Sequence, residues 1–401
     1  MVRRVESSII ARAQFLVLSV AGLLCLTVSS AVPRQKVAVE VAAIDRARIL
    51  ASAEACLKEL PVTVTAYSSP RSAGGPHEYF SEGDYWWPDP KNPEGPYIQR
   101  DGMTNPDNFN KHREVMRRFC DIVSSLTAAY KITGEEKYAV QAIRHLNAWC
   151  VDDATKMYPH LKYAQAIKGR FTGRGVGIID TIHLIEVARA AEVLAGSKSF
   201  KEGEEAAIKQ WFAEYLQWLT THPYGLAERE AKNNHGTWWA AQVAMFAHLV
   251  NDTATLSYCR SRFKTVFLPK QMALDGSFPE ELRRTKPYSY SIFNLEGMAV
   301  LCRVLSTPAD NLWEYTLPDG RNMRKAVQFL YPYIVDKSKW PYAKDVMHFE
   351  SFPARQPFLL FAGIALGEPA YVETWKKLDP DFKVEEVRRS IPIQQPILWV
   401  E

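Results

Sequence analysis

The stretch "NNHGTWW", Asn233 to Trp239, sets two amides, an imidazole and two indoles within seven positions. Amide N–H groups neutralise a carboxylate by hydrogen bonding, imidazole moves protons near neutral pH, and indole faces stack on sugar rings. Each residue also has an ordinary structural job, because Asn at a helix start is a common cap and tryptophans on a helix commonly fill a core. A second block, "ELRRTKPYSY", brings Arg283, Arg284 and Lys286 beside Tyr288 and Tyr290. Guanidinium groups take carboxylates in bidentate fashion, and neighbouring positive charge lowers a phenol's pKa from about 10, which brings phenolate within reach. In a non-helical loop, such a cluster reads as a site for an anionic substrate.

A third segment, "YAQAIKGRFTGRGVGIIDT", runs from Tyr163 to Thr181. Its glycines lack the Lys-Ser ending and the strand-to-helix setting of a phosphate loop, so nucleotide binding is not expected. Gln165, Arg170 and Arg174 suit polar contacts with a sugar chain instead. The loop "GDYWWPDP" offers Tyr85, Trp86 and Trp87 as a subsite wall or lid, with local packing as the alternative. Glu280, Glu281 and the acids between Asp345 and Glu350 are the carboxylates that a glycoside hydrolase would need in a pair. His77, His112, His183, His235 and His348 never adopt a metal-site spacing such as HxH or HExxH. Neither a metal nor another cofactor is expected.

The elements that position these groups are helical. Apolar residues recur at three- and four-residue spacing over Ala42 to Leu57, Asn108 to Tyr130, Glu135 to Trp149, Ile178 to Leu194, Glu204 to Leu219, His235 to Leu249, Thr253 to Phe263, Phe293 to Val304, Arg324 to Ile334 and Pro353 to Leu366. Thr133-Gly134 separates two of them, and Asn251 or Asp252 can cap another. Strand-like alternation is scarce. The pattern predicts an all-α chain closed into a single α/α toroid of about six to seven helical hairpins, since an open row leaves apolar faces at both ends. Two segments interrupt it: Ser68 to Asn105, dense in Gly, Pro and aromatics, and Asp275 to Tyr290. Loops of that length in a folded domain are commonly functional.

With 401 residues, 47% of them hydrophobic, the chain can bury a large core without staples. A formal charge of +4, with Lys and Arg dispersed, argues against nucleic acid as partner. Arg3, Arg4 and Arg12 precede an apolar run from Phe15 to Val28, followed by small residues at Ser29 to Ala31. That order predicts a signal peptide over residues 1–31, a catalytic domain over 32–401, export to the periplasm, and no membrane span once the signal is removed. Cys56, Cys120, Cys150, Cys259 and Cys302 would then remain, an odd set that reads as buried thiols rather than a disulfide framework or zinc site.

"NNHGTWW", "ELRRTKPYSYS" and "YAQAI...GRGVGIIDT", together with the "GDYWWPDP" loop, resemble the alginate lyase superfamily of α/α-toroid polysaccharide lyases, and most of all polysaccharide lyase family 38. The resemblance implies β-elimination on an acidic polysaccharide, the 4-linked uronate chains of alginate or glucuronan. It implies that Asn233, Asn234 and Arg284 neutralise the C5 carboxylate, with His235 as partner, alternative base or further neutraliser. Tyr290 would both take the C5 proton and protonate the leaving O4, chosen over Tyr288 by its offset from Arg284 and its place before Ser291. Catalysis is thus expected from Tyr290, His235, Arg284 and Asn234, and substrate contacts from Asn233, Gln165, Arg174, Trp238, Tyr288, Lys286, Trp86 and Trp87. One tyrosine serves twice only where proton and leaving group share a side, as in mannuronate and glucuronate, so mannuronate-type linkages are favoured and glucuronan is the alternative. Lys168 stands where many relatives have proline, which adds a charge to this loop. A glycoside hydrolase and a non-catalytic glycan-binding protein are the competing readings, since a toroid hosts several chemistries.

Overall fold

The computed structural model describes residue 37 and residues 39–400, all within one unit, Lys36–Glu401. The expected signal peptide lies outside the described residues. Fifteen α-helices carry the fold among them, and strands are confined to pieces of two to four residues.

Local chemistry sets the helix boundaries. Lys111–Thr133 ends where Gly134 adopts φ 73° and returns its N–H to Tyr130 O, a left-handed conformation that glycine takes without Cβ strain. Asp252, not Asn251, caps Thr253–Arg262 by accepting the Thr255 N–H at 3.0 Å. Pro287 opens Pro287–Leu305 at its first turn, where a missing N–H costs nothing. That helix starts earlier than the hydrophobic spacing predicts, so Tyr288 and Tyr290 sit on its first turn and not in a loop.

Lys111–Thr133, Leu184–Leu194, Asn234–Leu249, Pro287–Leu305 and Pro357–Leu366 pack successively on one another as an inner layer. Outside them lie Glu136–Cys150, Glu202–Thr221, Thr253–Arg262, Met323–Val335 and Pro369–Lys377, and Val41–Cys56 packs on Lys111–Thr133 to give a sixth inner–outer pair. The inner helices show why this order folds. Asn234–Leu249 is buried on nearly every side, so it finds apolar partners in both neighbours of its ring and in the layer behind. This is the expected all-α toroid. Its seam is closed by Arg355, which donates to Asp45 Oδ1 at 2.7 Å and lies 4.0 Å over the Trp375 ring.

The two ends of the ring differ. At one, the C-terminal segment crosses the helices: Lys131 donates to Ile397 O and Val400 O, Arg189 to Leu398 O, and Arg303 to Trp399 O. These cations satisfy carbonyls that no ladder would serve. At the other end, the N-terminal ends of four inner helices converge on one cavity, bringing Arg113 and Arg117, His183, Asn234 and His235, and Tyr290 to its wall. Helix starts carry partial positive charge and unpaired N–H groups, so this end favours an anion. The loop over 68–105 covers it in two small sheets. Phe80–Glu82 runs parallel to Tyr163–Ala166, and Trp86–Trp87 pairs antiparallel with Ile98–Gln99. All five cysteines among the described residues are free and buried, as expected.

Candidate active site

The cavity has a volume of about 510 Å³. On one wall, Asn233 precedes the Asn234–Leu249 helix in extended conformation but makes no side-chain cap bond. A carboxylate from another element does that work: Glu281 accepts the Asn234 N–H at 2.6 Å and Asn234 Nδ2–H at 2.7 Å. Glu281 is buried, which pushes its pKa up to about 7 against the pull of the Asn234 bonds, Arg284 and His235. The helix start is pressed against the chain before it, since a Cβ on Gly236 would stand 2.2 Å from Ala231 O. That closeness sets His235 over the Pro223–Arg229 helix, where its Nδ1–H donates to buried Glu228 Oε1 at 2.5 Å. Burial opposes the imidazolium, yet the adjacent Glu228 carboxylate outweighs it and holds the His235 pKa above its usual value.

Across the cavity stands Tyr290, its hydroxyl 2.6 Å from that of Tyr85. The Arg284 guanidinium lies 4.7 Å over the Tyr290 ring while donating to Asp101 at 2.9 Å. Arg389 donates to Asp84 at 2.7 Å and reaches Tyr85 Oη at 3.4 Å. Sequence alone predicts a phenolate made accessible by Arg283, Arg284 and Lys286. The structure corrects this: burial, with Tyr85 beside it, raises the Tyr290 pKa well above 10, and Arg284 and Arg389 only moderate the rise. Tyr290 therefore holds its proton at neutral pH.

Between these walls lies a polar floor. Gln165 takes φ +49°, sparsely used by residues other than glycine, and is held there by Ser81 Oγ on its N–H and Asp180 on its Nε2. Arg174 donates to Gln165 O at 2.9 Å, and Trp86 lies within 6 Å of both Arg170 and Arg174. Trp86, Gln165 and Arg174 all line the cavity, so polar donors and one indole are available to a sugar ring.

Seven of the residues expected to contact substrate or to act in catalysis besides Tyr290 thus share this cavity: Asn233, Asn234, His235, Arg284, Gln165, Arg174 and Trp86. Four others do not. Trp238 is wholly buried, its ring tilted against that of Phe293 with its Nε1–H on Phe293 O. Tyr288 is equally buried and donates to Tyr333 O at 2.9 Å, while Asp345 accepts its backbone N–H. Lys286, 1% exposed, pairs with Glu386 at 2.7 Å and lies 5.3 Å from the Tyr85 ring centre, so it supports that ring from behind. Trp87 lies under Arg100 and donates to Met103 O within its own loop. The spacing of these four is that of the site residues beside them, but Trp238, Tyr288 and Lys286 turn inward and Trp87, half-buried, stays within its own loop. Conversely, Glu228, Asp101 and Arg389 carry no sequence signal, since each meets its partner only through the fold. Tyr85 was visible only as part of an aromatic loop.

Among the described residues no group of three or more His, Cys, Asp or Glu could hold a metal, and no helix is long and apolar enough to cross a membrane.

The sequence profile of the alginate lyase family matches residues 63–340. The crystal structure of an alginate lyase from Bacteroides ovatus is 31% identical, with a TM-score of 0.77, over 89% of this chain and 93% of that one. Alginate lyase A1-III from Sphingomonas species A1 shares the fold at 14% identity and a TM-score of 0.54, over 88% of this chain and 94% of its own. A histidine-to-alanine variant of A1-III complexed with a tetrasaccharide matches at 16% identity and a TM-score of 0.52, over 78% of this chain and 84% of that one. No curated protein sequence matches the chain.

Proposed function

We propose that this chain, which belongs to the alginate lyase family and is a polysaccharide lyase, cleaves 4-linked uronates of alginate, at mannuronate residues in preference, by syn β-elimination. The observation that carries this reading is one cavity with Tyr290 on one wall and Asn234 beside a Glu228-paired His235 on the other. A uronate held between them would place its carboxylate at the amide and imidazolium and its C5–H and O4 at the phenol.

Neutralising the carboxylate is the step that makes C5–H acidic, because negative charge develops there in the transition state. Asn234 Nδ2–H, the His235 imidazolium and Asn233 supply the donors. Arg284, already on Asp101 and stacked over Tyr290, is better placed to stabilise phenolate than to meet the substrate. Because Tyr290 is mostly protonated, the reacting fraction is the one that has released its phenol proton to solvent. There the phenolate takes the C5 proton, electrons close the C4–C5 double bond as C4–O4 breaks, and the new hydroxyl gives its proton to O4. The tyrosine ends as it began. The same oxygen can do both only from one side of the ring, which favours mannuronate over guluronate, with glucuronan as the alternative substrate. Glu281 keeps both oxygens on Asn234, which leaves it ill suited to serve as a hydrolase acid.

Export to the periplasm through residues 1–31 belongs to the same proposal, since a polymer is met outside the cytoplasm. The test is ultraviolet absorbance of purified protein with polymannuronate, polyguluronate and glucuronan separately. A rise with polymannuronate supports the reading, a rise with glucuronan alone reassigns the sugar, and saturated product or none overturns it.

A further inference from the structure

Glu281 has no part in the proton transfers above, yet its whole carboxylate is committed to one residue of the site. It accepts the Asn234 backbone N–H and side-chain N–H at 2.6 and 2.7 Å, and it is fully buried. An exposed helix start is ordinarily capped by the residue before it, and Asn233 is of the right type. Asn233 makes no such bond, and a carboxylate 47 positions away takes its place.

The consequence is geometric. A side-chain amide presents NH2 at one corner and C=O at the other, and the two ends are nearly alike in shape. Only the NH2 end attracts a substrate carboxylate; the flipped amide would offer a repelling oxygen. With one Nδ2 hydrogen held by Glu281 Oε2, the flip is decided, and the second hydrogen stays in the amide plane. We infer that Glu281 is a positioning residue that locks the Asn234 amide with its remaining N–H turned to the uronate carboxylate. The backbone bond to Oε1 fixes the carboxylate in turn, so the lock has no free rotation. This inference rests on the lyase reading for the identity of the ligand.

A double-mutant cycle tests it in the full chain carrying Tyr290→Phe, which permits affinity for a mannuronate oligomer to be measured by calorimetry without turnover. Glu281→Gln should weaken binding by about tenfold, the scale of one hydrogen bond to a charged group. In the Asn234→Ala background the same change should alter affinity less than about twofold, because the lock has nothing left to hold. Equal losses in both backgrounds, or unchanged affinity with only lowered thermal stability, would overturn the inference. Should Glu281→Gln fail to fold, Glu281→Asp, which keeps the charge but retracts it, goes through the same cycle with the same expected coupling. Wild-type turnover is scored separately: a chain that binds the oligomer but forms no unsaturated ends refutes the lyase reading, while the cycle still decides the role of Glu281.

Discussion

Replacing Glu228 by glutamine removes the carboxylate that sits 2.5 Å from His235 Nδ1. A hydrogen bond between charged groups contributes about 1.5–3 kcal/mol, and one pKa unit corresponds to about 1.4 kcal/mol, so the His235 pKa should fall by about 1–2 units. Other charges facing the ring, Arg284 lowering its pKa and Glu281 raising it, stay in place. In the proposed mechanism the active form has His235 protonated and Tyr290 ionised, although the His235 pKa is the lower of the two. For such a pair, kcat/KM rises with pH up to the histidine pKa, then stays level, because loss of imidazolium cancels gain of phenolate. Lowering the histidine pKa therefore moves the break between limb and plateau down by about 1–2 pH units, leaves the rates on the limb below it unchanged, and lowers the plateau by about 10- to 100-fold. The assay is kcat/KM on polymannuronate across pH, with His235 titrated by NMR. A break that moves while the plateau holds would mean that neutral His235 is the working form, hence a base, and would refute the assignment. A break that does not move would remove His235 from the titration altogether.

Three further outcomes follow from the geometry. Tyr288→Phe deletes the bond to Tyr333 O and should cost about 1 kcal/mol in urea unfolding while leaving turnover per folded molecule within about twofold; a large loss of turnover would return Tyr288 to the site. Asp45→Ala strands buried Arg355 at the ring seam and should cost about 3–5 kcal/mol with turnover preserved, as thermal unfolding and a rate assay would show. Glu296 is pushed by burial from 4.5 up to about 8, so the folded chain binds its proton where the unfolded chain has released it, and this group makes stability fall as pH rises between those values. Glu296→Gln should gain on wild type between pH 5 and pH 8 in urea unfolding, and parallel curves would contradict the placement.

The toroid was legible because amphipathic spacing is local, and the Gly134 and Asp252 boundaries follow from backbone chemistry that one residue decides. Asn234 and His235 stood out through the combination of amides, imidazole and indoles, and Tyr290 through its neighbouring cations, although the sequence reads there as a loop and the residue sits on the first turn of a helix. What sequence could not supply was direction. Asn234–Leu249 is apolar nearly all round, so nothing in its spacing told Trp238, which faces Phe293, from a residue facing substrate. Lys286 looked like a substrate cation because its buried partner, Glu386, lies 100 positions away. A larger separation, 304 positions from Tyr85, hid Arg389, which reaches the site from beyond the family-matched region. Tyr290 shows the energetic side of the limit: neighbouring cations were visible, but the burial that outweighs them was not.

The central claim is that the Tyr290 oxygen carries both proton transfers. It is tested most directly by the rate at which Tyr290→Phe forms unsaturated uronate from polymannuronate, in protein that still binds a mannuronate oligomer with wild-type affinity. The account predicts a loss of at least about 10²-fold, the lower bound for removing a general acid–base group. Turnover within about tenfold of wild type, with binding intact, would contradict it and pass the proton transfers to another residue of the cavity.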